Sequence, residues 1–275
     1  MWNKGLSYRE RHGLRNVGIN KISNTKTGDT LNSDKIVSKH SLGLVFFPAF
    51  DWKISETHPE RQERLLYTRD QIVEEGLLDI SNIREYNPIV ADWDTIERVH
   101  VGAPDLESWV TEAHRVSAGG AIAAADAVMR GEVDRAFALV RPPGHHAMAM
   151  VHGIRGFCTI NIEAVMIQHM RQTYGIKRVA VVDTDVHHGD GSQDVFYHDP
   201  DTLYISFHQD GRTLYPGTGF MDEFGGPQAI GGNIDIPLPP GTGDEGLMKV
   251  MRELVLPIFC LLYTSPSPRD TERSR

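Results

Sequence analysis

Short apolar runs alternate with helical segments along most of this 275-residue chain, and this alternation limits the fold more than any other feature. The apolar runs have the length of buried strands and lie at residues 42–47, 83–90, 135–140, 179–182, 203–207 and 234–236. Helix-forming segments lie between them, at about 59–76, 105–129, 162–174 and from residue 244 onward. Apolar strands separated by helices are typical of a parallel sheet covered on both faces. We therefore predict an α/β fold, a three-layer sandwich around a mainly parallel sheet.

The two ends of the chain depart from this alternation. Residues 1–40 are polar and keep neither a helical nor a strand period, which predicts a poorly ordered extension. Residues 260–275, CLLYTSPSPRDTERSR, place Ser, Pro and Arg where the next buried strand is expected. We interpret them as a non-native or disordered tail. One α/β domain is therefore expected over residues 41–259, incomplete at its C-terminal end.

Composition argues against several classes of protein. A net charge of -9 gives no electrostatic footprint for nucleic acid, and the sequence has no basic amphipathic or long apolar run for a membrane. The two cysteines, Cys158 and Cys260, are far apart, which argues against a disulfide framework and for a reducing compartment. The charged N-terminal residues do not resemble a signal peptide. We therefore expect a cytoplasmic, globular protein.

Unusual polar residues follow three of the predicted strands. RPPGHHA begins where the strand at 135–140 ends, DTDVHHGDG begins after 179–182, and SFHQ closes the strand at 203–207. In parallel α/β sheets, ligands sit beyond the carboxyl ends of the strands. The three strand ends are therefore expected to bring these residues into one crevice.

The residue types in these segments suit metal-assisted proton chemistry. If the chain is extended through Asp185 and His187, both side chains project to the same side, and their oxygen and nitrogen atoms are good zinc ligands. The alternative is a loop whose acidic and histidine residues cap a helix that starts near Asp190. The doublet His145–His146 follows a Pro-Pro-Gly turn that would hold both imidazoles in place, and histidine can exchange protons near neutral pH.

Taken together, RPPGHHA, GFCTIN, DTDVHHGDG and YPGTG resemble the histone deacetylase superfamily in order and spacing, particularly its bacterial class II-like and acetoin-utilisation-type members. The resemblance covers roughly residues 42–259. It implies an arginase-like α/β fold and a zinc-dependent deacetylase, an amidohydrolase acting on linear amides. The expected substrate is an acetylated lysine, a polyamine or another small acyl-amide.

The resemblance also implies roles for individual residues. Asp185 and His187 would be metal ligands, for zinc or alternatively Fe²⁺. Asp183 would orient His145 and Asp190 would orient His146, with His146 as general base and His145 as its electrostatic partner. The residues expected to contact substrate are Gly156, Phe157 and Tyr215, the last two as the aromatic walls of an acyl-lysine tunnel. Tyr215 departs from the phenylalanine common at that position, which would make the wall more polar.

Two further sites follow from the resemblance. A structural K⁺ would be bound by the Ser206 and Phe207 carbonyls together with Asp183, Asp185 and His187. Relatives also have a last zinc-ligating aspartate and a tyrosine that stabilises the oxyanion. Asp270 and Tyr263 lack the flanking residues of those motifs, so we assign neither role to this chain. We therefore expect the chain as written to bind zinc weakly and to have little activity.

Two other functions are compatible with parts of the sequence. An arginase-type ureohydrolase also uses aspartate and histidine at strand ends, but it needs a ligand set for two manganese ions, and RPPGHHA fits deacetylases better. A non-catalytic acyl-lysine binding protein is the second alternative. Metal content would separate the two enzymes, since one zinc supports the deacetylase and two manganese ions the ureohydrolase.

Overall fold

A computed structural model describes residues 39–264 of the chain. Its strands are β1 (Leu42–Phe47), β2 (Ile83–Tyr86), β3 (Val101–Gly102), β4 (Arg135–Val140), β5 (Met150–Val151), β6 (Val179–Asp183), β7 (Thr202–Gln209) and β8 (Asn233–Leu238). Its α-helices are α1 (Glu63–Glu74), α2 (Trp93–Glu97), α3 (Glu112–Met129), α4 (Ile162–Tyr174), α5 (Asp190–Phe196), α6 (Asp244–Val250) and α7 (Leu256–Thr264). A 3₁₀ turn at Leu77–Asp79 follows α1, and a π-helical turn at Met251–Val255 joins α6 to α7.

Every strand pair in the three sheets is parallel. One three-stranded sheet has the order β2-β1-β4, a second has the order β6-β7-β8, and β3 pairs with β5. Within residues 39–264 no hydrogen-bonded ladder joins β4 to β6. The parallel strands that the sequence predicts are therefore present, but they form two separate main sheets instead of one.

Strand β7 shows why the architecture has layers. Leu203, Ile205 and Phe207 point to one side and pack with Val250 and Val255 of the α6–α7 segment. The alternate residue Tyr204 points to the other side, where it packs with residues of α4 and α5. Since successive side chains of a strand face opposite ways, β7 is buried between two helical layers.

A second core lies between α3 and α4, and small residues allow its close packing. Ala118 and Ile122 of α3 pack with Ile162 and Val165 of α4. A Cβ atom on Gly119 would stand 1.9 Å from the Ile89 carbonyl oxygen. The GGAIAAADAV stretch therefore lets α3 approach the chain that follows β2.

Several element boundaries differ from the predicted ones. The helix expected over 105–129 begins at Glu112, because the Asp105 carboxylate accepts from the Ser108 amide at 2.8 Å and holds a separate turn before it. The strand expected over 83–90 ends at Tyr86, before Pro88, which has no amide to donate. The first helix begins at Glu63, not Pro59.

The terminal predictions lie largely outside the described residues. Residues 1–38 and 265–275 belong to the predicted extension and tail, which both stay predictions. The last helix was expected to end near residue 259, but α7 continues to Thr264. None of the helices between residues 39 and 264 is both long and apolar enough to cross a membrane.

A buried ion pair fixes the start of the RPPGHHA turn. Arg141 is 1% exposed and donates to Glu60 Oε1 at 2.7 Å. It also donates to the Pro48, Ala49 and Trp52 carbonyls at 2.7 to 3.2 Å. This one side chain therefore ties the end of β4 to the loop after β1.

We expect Arg141→Met to lower the free energy of unfolding by about 3–5 kcal/mol, because it leaves the Glu60 carboxylate buried without its cation. Arg64→Met is the control, since Arg64 contacts the same carboxylate from the surface with 59% of its side chain exposed. That change should cost less than about 1 kcal/mol. Urea unfolding of both variants measures the difference, and equal losses would contradict the role of Arg141.

His100 is a buried neutral histidine that links two loops to the core. Its Nδ1 lies 3.0 Å from the Met148 carbonyl oxygen, and its Nε2 accepts from the Asn161 amide at 2.8 Å. These bonds require a neutral ring with the proton on Nδ1. Burial lowers the pKa of His100 to about 4.

This lowered pKa predicts a loss of stability at acidic pH. Below about pH 6.5 the unfolded chain binds a proton at His100, whereas the folded chain does not. The free energy of unfolding is therefore unaffected by protonation of His100 above pH 6.5 and decreases as the pH drops toward 4. The loss should reach about 3 kcal/mol for this residue. The measurement is the unfolding free energy from pH 4 to pH 7 for wild type and His100→Gln. The variant should be less stable than wild type at pH 7, and its free energy of unfolding should change less between pH 7 and pH 4. An equal change with pH in both proteins would refute the assignment.

Candidate active site

Two loops that follow strands in different sheets meet to form the site. The loop after β4 carries His145 and His146, and the loop after β6 carries Asp183, the last residue of that strand, and Asp190, the first residue of α5. The crevice expected at the strand ends therefore forms. Ser206 also lies there, since it pairs in register with Asp183.

Each histidine of the doublet faces its own carboxylate. His145 Nδ1 lies 2.9 Å from Asp183 Oδ2, and His146 Nδ1 lies 2.7 Å from Asp190 Oδ1. A carboxylate only accepts hydrogen bonds, so both Nδ1 atoms carry a proton and each neutral ring keeps its lone pair on Nε2. The structure thus brings together the two pairs that the sequence predicts.

The surroundings move the pKa values of the two histidines in opposite directions. Burial opposes charge on His145, but the hydrogen bond and charge of Asp183, with help from Asp185, outweigh it and raise the pKa of His145. Burial is the largest effect on His146 and lowers its pKa; the charges of His145 and His187 lower it further, and the Asp190 carboxylate raises it only in part. Such a separation assigns different protonation states to two neighbouring groups. His146 is the neutral member and His145 the more readily charged one.

A short turn places Asp185 next to His187. The Asp185 carboxylate oxygen Oδ1 accepts from the His187 amide at 2.7 Å and lies 3.0 Å from His187 Nδ1. A local turn therefore brings the side chains of Asp185 and His187 together, whereas the sequence suggested that an extended chain would do so. His145 Nε2 lies 4.0 Å from the same oxygen, which puts the doublet beside the pair.

Asp185 and His187 fit two corners of a zinc site. Carboxylate oxygen and imidazole nitrogen are both zinc ligands, and Asp185 Oδ1 lies 3.0 Å from His187 Nδ1. Both side chains are partly exposed, so an ion could reach them. No group of three or more His, Cys, Asp or Glu side chains that could hold a metal ion occurs between residues 39 and 264. The described residues therefore fit part of a catalytic metal centre.

Aromatic side chains line the entrance to this crevice. Phe157 and Tyr215 are 41% and 45% exposed, and the Tyr215 ring centroid lies 5.1 Å from that of His146. The Phe157 ring packs edge-on against His58 at 4.5 Å. The two aromatic residues predicted as tunnel walls therefore lie near the doublet, and their role as walls stays a prediction. His58 adds a third ring that was not identified from the sequence.

Sequence analysis also missed two residues beneath the doublet. The Tyr204 hydroxyl donates to Asp183 Oδ2 at 2.9 Å and so helps to hold the carboxylate that pairs with His145. A tyrosine inside a buried strand needs a hydrogen-bond partner for its hydroxyl group, and this requirement is the feature of the sequence that could have indicated its role. The Glu163 Oε2 atom is buried without a hydrogen-bond partner, and burial raises the pKa of this carboxyl group.

Gly156 touches the general-base candidate directly. Its φ is +51°, and a Cβ atom there would stand 2.1 Å from His146 Cδ2. Gly131 is a matched control, with φ of +69° and no atom within 4 Å of an added Cβ. Both replacements by Ala should cost about 1 kcal/mol for the backbone conformation. Gly156→Ala should lose more in thermal unfolding and should also shift the His146 NMR signals, whereas identical behaviour of the two variants would contradict the contact.

Comparisons with known proteins identify the family to which this arrangement belongs. The histone deacetylase domain matches residues 104–263. A probable deacetylase of Archaeoglobus fulgidus is 41% identical over 235 residues, covering 78% of this chain and 64% of the archaeal protein. The acetylpolyamine amidohydrolase of Burkholderia pseudomallei is 43% identical over 143 residues, covering 50% of this chain and 40% of that protein.

The fold is shared as well. The crystal structure of the HDA15 HD domain superposes with a TM-score of 0.71 at 30% identity, covering 79% of this chain and 68% of that one. This similarity confirms the α/β deacetylase-like fold predicted from the sequence. The chain spans less than two thirds of the length of the two curated relatives. On the domain match, the identities and the shared fold, the chain belongs to the histone deacetylase family.

Proposed function

We propose that this chain carries the site for zinc-dependent hydrolysis of an acetyl or related acyl amide on a lysine-like or polyamine amine. The observation that carries the proposal is the pair of His–Asp hydrogen bonds beside Asp185 and His187. Amide hydrolysis needs one group that takes a proton from water and one that stabilises or protonates the leaving amine. The names of the relatives from Archaeoglobus and Burkholderia support this reaction class.

His146 is the general base in this proposal. Its Nδ1 proton is held by Asp190, so the lone pair on Nε2 is free to accept a proton. Its lowered pKa keeps the ring neutral near physiological pH. As it gains a proton, the Asp190 carboxylate stabilises the resulting imidazolium.

His145 is the electrostatic partner. Its pKa is raised, so it carries a positive charge more readily than His146 and can help to protonate the leaving amine. Tyr204 and the Asp185 amide donate to Asp183, which holds this carboxylate in place as the charge on His145 changes. The two rings lie 4.1 Å apart by centroid, so charge on one disfavours charge on the other.

Asp185 and His187 would hold the metal, with Fe²⁺ as the alternative to zinc. When bound, zinc supplies Lewis-acid polarisation of the amide carbonyl and makes the attacking water more acidic. A structural K⁺ near Ser206 and Phe207 stays part of the proposal. Phe157 and Tyr215 would enclose the acyl-lysine chain and exclude water from it.

Two alanine variants, made in a completed form of the protein that carries a family-like C-terminal segment, separate proton transfer from metal binding. His146→Ala should lower turnover by about 100- to 10,000-fold without loss of zinc, because the residue handles protons but does not ligate the metal. His187→Ala should lose the zinc itself. Metal content and turnover are measured on the same samples, and equal loss of zinc in both variants would contradict the assigned roles.

Activity is tested with acetyl-lysine and acetylpolyamine reporters in the presence of zinc. The chain is compared with the same chain extended by the C-terminal segment of the Archaeoglobus relative, since this segment should supply the remaining ligand and the oxyanion donor. The extended protein should be about 100- to 1,000-fold more active, the usual effect of one such donor. No turnover of either reporter by the folded, zinc-loaded extended protein would refute the proposed function. Equal activity in both proteins would mean that unassigned residues complete the site.

A further inference from the structure

Asp190 is held from two sides. One oxygen, Oδ1, accepts from His146 at 2.7 Å, while the other, Oδ2, accepts from Arg155 Nε at 2.9 Å and also from Arg155 Nη2. The Asp190 side chain is 6% exposed, whereas that of Arg155 is 42% exposed. A buried carboxylate needs good compensating partners, and a guanidinium with two N–H groups is a strong one.

Among the described residues, no lysine or arginine side chain pairs with the carboxylate of the other dyad, Asp183. Asp183 accepts from the Tyr204 hydroxyl at 2.9 Å and from the Asp185 amide at 3.1 Å, and both donors are neutral. The two histidines of the doublet therefore bind carboxylates that differ in their other partners, which are neutral donors for Asp183 and an arginine for Asp190. The fixed charge of Arg155 stands behind the carboxylate of the proposed base.

Arg155 also begins the turn that forms one wall of the entrance. Its amide donates to the Cys158 carbonyl and the Cys158 amide donates back, both at 2.8 Å. The two enclosed residues, Gly156 and Phe157, have φ of +51° and +72°. Positive φ is costly for a phenylalanine, so this turn depends on its anchors. The bond from Arg155 to Asp190 ties it to the first residue of α5.

The same guanidinium reaches the opposite wall. Its central carbon lies 6.0 Å from the centre of the Tyr215 ring. This distance is at the limit of a cation–π contact. The Arg155 side chain therefore contacts Asp190, which supports the base, and lies next to the Tyr215 wall, while the Arg155 backbone forms the start of the Phe157 turn.

We propose that Arg155 is a positioning residue that holds Asp190 against His146 and sets the relative placement of Phe157 and Tyr215, so that it controls both turnover and the choice of acyl chain. This inference rests on the proposed function. An ion pair between two exposed side chains contributes little to stability. In this pair Asp190 is buried and its carboxylate faces His146, the proposed base.

The test compares Arg155→Met and Arg155→Lys with wild type, in the chain and in its extended form. Met keeps the length of the side chain and removes its charge, whereas Lys restores the charge as a single point without the planar fork. Arg212→Met is the control, because Arg212 also pairs with an aspartate, Asp210, but 71% of its side chain is exposed. The measurements are kcat and KM for acetyl-lysine and butyryl-lysine reporters, the thermal unfolding midpoint, and the NMR signal of the His146 Nδ1 proton.

We expect Arg155→Met to lower kcat by about 10- to 100-fold, with a smaller change in KM, and to change the acetyl-to-butyryl preference. It should also weaken or abolish the protected Nδ1 proton signal of His146. Arg155→Lys should recover part of kcat and of the signal but not the acyl preference. Arg212→Met should match wild type.

Other outcomes decide against the inference. If Arg155→Met keeps kcat, acyl preference and the His146 signal within about twofold of wild type, Arg155 positions nothing. If it loses stability and turnover together while the His146 signal and the acyl preference stay unchanged, its role is only structural. If Arg155→Met does not fold, Arg155→Lys decides on the same criteria. If the wild-type extended protein has no activity, the proposed function fails, and the His146 signal in the variants still decides whether Arg155 positions the dyad.

Discussion

The hydrogen bonds from His145 to Asp183 and from His146 to Asp190 join two loops that belong to different sheets. One loop leaves β4, the other leaves β6, and within residues 39–264 no ladder connects these strands. The dyads therefore link the two halves of the described fold at the point where the chemistry is expected. A shift of either sheet by an ångström would break bonds of 2.7 to 2.9 Å.

Burial and charge divide the two histidines into different states. Both rings are largely removed from water, which disfavours their charged forms. Asp183 and Asp185 overcome this effect at His145, whereas His145 itself adds to it at His146. The doublet therefore acts as a unit, because each ring helps to set the charge of the other. Arg155 and Tyr204 support the carboxylates from outside, one by charge and the other by a neutral hydroxyl.

The sequence could predict those parts of the structure that depend on local pattern. Apolar runs located β4, β6 and β7 to within a few residues, and the motifs at their ends indicated the Asp185–His187 pair. The two dyads followed only from the resemblance that these motifs carry. Boundaries failed where a side chain or proline overrode the pattern, as at Asp105 and Pro88. Arg155, Tyr204 and His58 escaped because their roles come from contacts between distant segments. An arginine before a glycine, or a tyrosine in a strand, has no local pattern that signals such a contact.

The placement of the protons on the two histidines tests the account most directly. Nitrogen-15 NMR of the side chains reports which ring nitrogen carries the proton in each. The account predicts that His145 and His146 are both protonated on Nδ1, and that the neutral form of His146 leaves Nε2 free. A His146 ring protonated on Nε2 in its neutral form, with Nδ1 bare, would contradict the hydrogen bond to Asp190 and with it the proposed base.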